Sequence, residues 1–217
     1  LKMHGGVAKA DLGAENIPAV EIGFANLKTH IENMKKFGVP VAVAINKFIT
    51  DTDSEIELVK KLCSENGCNA VVCEGWEKGG DGAADLAHKV VELCDSPCEF
   101  KNIYPLDISL KEKIEILAKE IYRASSVEFE GKALKKLKQF EEQGFGSLPI
   151  CMAKTQNSIS HDKSLQGAPK DYVFPIRDVQ LYSGAGFVVA FAGDIVDMPG
   201  LPKTPAALNI DVDDNGI

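Results

Sequence analysis

A single tryptophan stands in 217 residues, and no apolar run approaches the length of a bilayer crossing. The longest, such as Val39 to Ile45, fall far short of the roughly 20 residues a membrane helix needs, so a spanning helix is excluded. Basic residues are also short: 24 Lys and Arg face 32 Asp and Glu, a net charge of −8 that repels a nucleic-acid backbone. The six cysteines (63, 68, 73, 94, 98 and 151) contain no Cys-x-x-Cys pair, and no two of the four histidines stand at ligand spacing. Zinc sites and a disulfide framework drop out. With no secretory signal, reduced thiols in a cytoplasmic protein are expected. What remains is 45% hydrophobic and 26% charged, the composition of a globular protein with length for one large domain or two modest ones. Leu1 without an initiator Met, and the acidic turn-like end at 211–216, read as an internal piece of a longer protein.

Apolar residues at 17, 20, 24, 27, 31 and 34 recur three or four apart, so an amphipathic helix is expected from Asn16 to Phe37, stopped by Gly38. Val39 to Ile45 reads as a strand buried on both faces. Thr52 or Asp53 caps a second helix with Ile56, Val59, the stem of Lys60 and Leu62 inward, closed by Asn66-Gly67. Ala70 to Cys73 is the next strand, and a helix succeeds it from Ala83 to Leu93. This β-α-β-α alternation with short links implies a parallel sheet. Asp95 to Cys98 reads as a boundary. Beyond it, Phe100 to Tyr104 is expected as a strand, Ser109 to Tyr122 as a helix with a Ser109/Glu112 capping box, and Gly131 to Glu142 as a basic-faced helix. Leu148 to Ala153 and Phe187 to Phe191 read as buried strands, and Ser183 to Phe187 and Met198 to Lys203 as turns.

Ligands of parallel sheets gather beyond the carboxyl ends of strands. The first strand runs into Asn46-Lys47-Phe48, the second into Glu74-Gly75-Trp76-Glu77-Lys78-Gly79-Gly80. Two aromatic rings, Phe48 and Trp76, are thus expected at one sheet edge, where they suit a flat ligand; the alternative is that Trp76 caps a minor core. Asn46-Lys47 lacks the Asp two positions on that a guanine-reading loop needs, and Asp81 stands where a phosphate loop requires Lys. No Walker A motif occurs. After the Cys151-Met-Ala strand end, Lys154 and the Thr155 hydroxyl suit an anion, and an ordinary solvated loop is the other reading.

Taken together, Leu1 to Gly6, Asn26 to Asn33, Phe37 to Val41, Ala44 to Phe48 with Thr50 to Thr52, and Trp76 to Gly80 resemble the formate–tetrahydrofolate ligase family. Gln143 to Gly146, Pro149 to Gln156, Ile176 to Asp178, Gly184 to Phe187, Met198 to Lys203 and Pro205 to Ala207 continue the resemblance in order. It implies an α/β protein: a parallel-sheet β-α-β-α unit, then a second, smaller α/β domain, as a fragment of a larger three-domain P-loop-type ligase. The implied division is 1–37 as the end of a nucleotide-binding domain, 38–97 as the folate-pocket domain and 98–217 as a C-terminal domain.

The resemblance further implies ATP-dependent formylation of tetrahydrofolate at N10, with formyl phosphate as intermediate. Mg2+ and a monovalent cation (K+ or NH4+) assist, and the full-length protein is a homotetramer. Formate, tetrahydrofolate and ATP are the partners. The family's pterin sandwich maps onto Phe48 and Trp76, with Val72 at an apolar pocket position; charge complementarity offers Lys47 or Lys78 to the folate glutamate tail. Lys154 and Thr155 fall in the cleft, but Asn157 to Lys163 departs from the family's aromatic, Ser-x-Ser and acidic-pair pattern. A segment without the phosphate loop is expected to be inactive alone. A non-catalytic module binding another planar ligand or a partner chain is the alternative.

Overall fold

Two separate sheets organise the chain, each over its own hydrophobic core. The structure, a computed structural model, describes residues 1–195 together with 204, 205 and 208. The 198–203 turn, Ala206, Ala207 and the 211–216 stretch lie outside the described residues.

Helix α1 (Ile17–Lys36) starts where the Asn16 side chain accepts the Ala19 N–H at 3.0 Å, with Pro18 in the first turn. Its stripe of Val20, Phe24 and Ile31 packs with Val59 and Cys63 of α2 (Asp53–Glu65). Burial of each large side chain contributes about 1.5–3 kcal/mol. Thr52 is the α2 cap, its hydroxyl accepting the Glu55 N–H. Strands β1 (Ala42–Asn46) and β2 (Asn69–Cys73) flank α2 and pair in parallel, Ile45 opposite Val72. Ala44 and Asn46 are exposed, so β1 is not buried on both faces as its apolar run suggests. The described sheet has two strands, too few to cover it.

After β2 the chain makes a single helical turn, α3 (Gly75–Lys78), and then α4 (Ala84–Cys94). The strand expected at Phe100 to Tyr104 does not form. Its neighbourhood is committed elsewhere: the Glu99 and Lys101 N–H groups donate to Gly38 O (3.1 Å) and Phe37 O (3.0 Å), satisfying the end of α1. A Cβ on Gly38 would lie 2.1 Å from Glu99 O, so only glycine permits that approach. The Phe37 and Phe100 rings stack beside it, centroids 6.5 Å apart.

The second sheet has the order β3 (Ser126–Phe129), β5 (Val173–Tyr182), β6 (Phe187–Ala192), β4 (Ile150–Ala153). It is mixed: β3 with β5 and β4 with β6 are parallel, and β5–β6 is an antiparallel hairpin. Among the described residues it is also the larger sheet, although the resemblance implies a smaller second domain. Strands β3 and β5 account for the difference. Helices α5 (Leu110–Glu120) and α6 (Gly131–Glu142) cover it through Leu110, Ile114, Ala133 and Leu137, and the Ser109/Glu112 capping box forms as the spacing implies. Lys113 is fully buried there, its ammonium donating to Gly146 O (2.6 Å) and Leu148 O (3.1 Å).

Candidate functional site

The parallel pairing of β1 and β2 brings their carboxyl ends side by side, and the Lys47 N–H extends the ladder by bonding Cys73 O at 3.0 Å. The loops that leave the two strands therefore share one edge of the sheet. A tight turn presents Phe48: its N–H donates to Asp51 Oδ2 (2.9 Å) and its carbonyl accepts the Asp51 N–H (3.0 Å). Trp76 rides on the single turn α3. The ring centroids are 5.8 Å apart and the planes tilted by 50°. Both rings face solvent, Trp76 at 62% and Phe48 at 43% exposure, so the indole does not cap a core. Two large aromatic surfaces left wet beside each other are available to a flat apolar ligand.

Around the rings lies a chain of ion pairs that the sequence did not announce. Glu74 uses its two carboxylate oxygens on two different lysines: Oε2 meets Lys78 at 2.6 Å and Oε1 meets Lys47 at 3.8 Å. Lys47 reaches Asp53 at 3.7 Å as well. The hydrogen bond from Lys78 holds the Glu74 carboxyl below its ordinary pKa, and the same bond raises that of Lys78. The backbone of Glu74 is fixed too, its N–H donating to Gly82 O at 2.9 Å. A Cβ on Gly82 would sit 2.5 Å from Glu74 O, so the close approach demands glycine. Glu74 could not be picked out from local sequence because its partner Lys47 is 27 residues away across the sheet; the only hint is the i,i+4 spacing to Lys78.

The other candidate residues fall in different places. Val72 sits within β2 beside Ile45, partly buried. Lys154 and Thr155 come directly after β4, in the other sheet. The Lys154 ammonium is turned into its own loop, donating to Thr155 O (2.8 Å) and Ser158 O, and lies 5.5 Å over the Tyr122 ring. Burial depresses its pKa. The Thr155 hydroxyl accepts the Asn157 N–H. Together with His161, Asp162, Lys163, Gly193 and Asp194, Thr155 lines a hollow of about 300 Å3. A larger hollow, about 730 Å3, lies by Lys132, Arg177 and Asp178, and does not include the rings. All six cysteines are free. Among the described residues no helix is long and apolar enough to cross a membrane, and no three His, Cys, Asp or Glu side chains gather as metal ligands.

Comparison with known proteins bears on the whole segment. The sequence model of the family described as formate–tetrahydrofolate ligase matches residues 1–217. A formate–tetrahydrofolate ligase of Roseobacter denitrificans is 54% identical over 217 residues, covering 100% of this chain. One of Zymomonas mobilis is 54% identical over 99% of this chain, and one of Staphylococcus aureus 53% identical over 216 residues. The chain spans 39% of the length of each of these relatives. A match that runs through every helix and strand of both sheets, at half identity, leaves one assignment: this chain belongs to the formate–tetrahydrofolate ligase family.

Proposed function

We propose that the full-length protein carrying this segment is an ATP-dependent ligase that formylates tetrahydrofolate at N10, and that this segment supplies the grip on the pterin ring. Formate attacks the γ-phosphate of ATP to give formyl phosphate and ADP; N10 then takes the formyl group and releases phosphate. Family membership supports the overall reaction. The observation that carries this segment's part is the pairing of Phe48 and Trp76 at one sheet edge, 5.8 Å apart and exposed.

In this reading the chain's own residues bind and orient. Phe48 and Trp76 stack on the two faces of the pterin and exclude water from it. A ring inserted between two others needs about 7 Å between them, two stacking contacts of about 3.5 Å each. Insertion therefore requires the two rings to part by roughly an ångström from their present spacing and turn toward parallel. Lys47 and Lys78 are the candidates for the glutamate tail, and both already answer to Glu74, so an anionic tail competes with that carboxylate. Lys154 and Thr155 remain at the margin of the reading, since the Lys154 ammonium is bound within its own loop.

Among the described residues no three His, Cys, Asp or Glu side chains gather to hold the implied Mg2+; we assign neither it nor the monovalent cation a step in this segment. The Gly75 to Gly80 stretch, folded as α3 with Glu77 and Asp81 exposed, is unsuited to a triphosphate. ATP activation accordingly belongs to the part of the family's length that this chain does not span. The division into 1–37, 38–97 and 98–217 belongs to the same reading. Separate cores under the two sheets support its second boundary, while α1 packs in the first core with α2. The homotetramer is likewise part of this proposal, checked by sedimentation of the full-length protein.

Titration with tetrahydrofolate, read through the fluorescence of the lone Trp76, tests the proposal. Saturable quenching that disappears in Phe48→Ala supports it. A flat titration of the wild-type protein overturns the pterin assignment. Formyl transfer in a single turnover by this segment alone, given ATP and formate, overturns the placement of activation elsewhere.

A further inference from the structure

Each ring of the proposed grip stands on its own loop, and those loops have few ties to one another. Phe48 is fixed by Asp51 within its own turn, and Trp76 by the backbone of α3. Besides the rings themselves, an ion pair from Glu74 joins the two loops beyond the end of the β1–β2 ladder. Glu74 stands directly before the turn that carries Trp76 and reaches across to Lys47, the residue directly before Phe48, with one oxygen, while the other holds Lys78 at the far end of the same turn. Its backbone cannot drift, because the N–H is bonded to Gly82 and the carbonyl lies against the Gly82 α-carbon face.

We propose that Glu74 is a positioning residue: its carboxylate clasps the Phe48 loop to the Trp76 turn and so sets the spacing of the two rings. It touches no ligand. The consequence for folate rests on the pterin reading, whereas the clasp itself does not. Lys47 and Glu74 have 30% and 27% side-chain exposure, so the bridge is screened less than the helix-surface pairs elsewhere in the chain. With Lys78 keeping the carboxyl ionised, the clasp stays engaged throughout the neutral range. Because insertion of a ring needs a wider gap, the clasp also determines how far the jaws open, and with it which thickness of ligand is held.

The test uses the 217-residue chain with Glu74→Gln, which keeps shape and removes charge, and Lys47→Met, which breaks the same bridge from the other loop. Ring-current shifts of the Phe48 ring protons and the Trp76 indole N–H are read by NMR with no ligand added, and Glu77→Gln serves as the neighbouring control. Both bridge variants should move these resonances in the same direction and the control should not. For a tail-less tetrahydropterin, which has no glutamate to compete for the lysines, Glu74→Gln should weaken binding by about two- to fivefold. Unchanged ring resonances in both bridge variants overturn the clasp. So does a change confined to the ligand with a glutamate tail, a tightening as its lysines are released, which would mean that Glu74 only tunes the lysines. Failure of the wild-type chain to bind either ligand overturns the pterin reading instead, and the resonances still decide the clasp.

Discussion

Asp51 holds Phe48 twice, accepting its N–H on Oδ2 at 2.9 Å and giving its own N–H to the Phe48 carbonyl at 3.0 Å. A chemical role for Asp51 as a base reader is excluded by its spacing from Asn46-Lys47, and the structure gives it this local one. Asp51→Ala removes the side-chain half of the pair and leaves the turn less defined, at a cost of about 1 kcal/mol in ring placement. Folate affinity, measured by Trp76 fluorescence, should fall about fivefold. The circular dichroism spectrum should not change. Affinity equal to wild type would show that the Phe48 ring is placed without Asp51.

Trp76 is 62% exposed, so its removal should be felt in binding and not in folding. An aromatic contact contributes about 0.5–1.5 kcal/mol beyond the area it covers, and Trp76→Ala loses burial in addition, which together predict a loss of roughly tenfold or more in folate affinity. Calorimetry measures this without the fluorophore. In the full-length protein the ATP- and formate-dependent half-reaction should persist. Equal damage to both half-reactions would mean that the domain had collapsed.

Asp178 offers a pH-dependent signature in the second unit. Burial alone would raise its pKa, but Lys132 and Lys136, each at 2.7 Å, and the Val179 N–H outweigh it and bring the value from 3.8 down to about 2. A depressed carboxyl stabilises the fold fully above its unfolded pKa, and that stabilisation is lost as pH falls from about 3.8 through about 2. Allowing for partial exposure, about 1–2 kcal/mol is at stake. Asp178→Asn should be destabilised by that amount at neutral pH and converge on wild type as pH falls below about 2, as read by urea unfolding. An equal deficit at both pH values would assign the effect to packing.

The helices and the ring pair were legible for the same reason: their signals are local. Asn16, Thr52 and Ser109 each stand directly before a helical apolar period, and Trp76 stands among glycines and charges where no core needs it. In the second sheet β4 and β6 are legible as short apolar runs, whereas β3 and β5 are not. β3 is only Ser-Val-Glu-Phe, too short to show alternation. In β5 the buried positions run Phe174, Ile176 and then Val179, because a bulge between Ile176 and Asp178 shifts the parity and places Arg177 and Asp178 in succession. Pro175 further disguises it as a loop. The pairing of Glu74 with Lys47 escaped because an ion pair across a sheet leaves no period at all.

The Lys2–Glu55 pair was hidden in the same way and carries the sharpest stability prediction. Lys2 Nζ lies 3.0 Å from Glu55 Oε2, with side-chain exposures of 10% and 7%. The remaining groups are satisfied, since Lys2 also donates to Ala14 O and Glu55 Oε1 accepts the Asn16 N–H at 2.8 Å, at the cap of α1. Removing the carboxylate alone leaves a buried ammonium with one carbonyl and frees the cap N–H, so Glu55→Leu should cost about 3–5 kcal/mol. Lys2→Met in the same protein removes the stranded charge. The double variant should recover most of the loss, because desolvating two ions offsets much of their attraction. Urea unfolding of the two single variants and the double variant gives the coupling. Additive losses would mean that the ions act independently, and that the contact seen between the first turn and α2 is not what joins them.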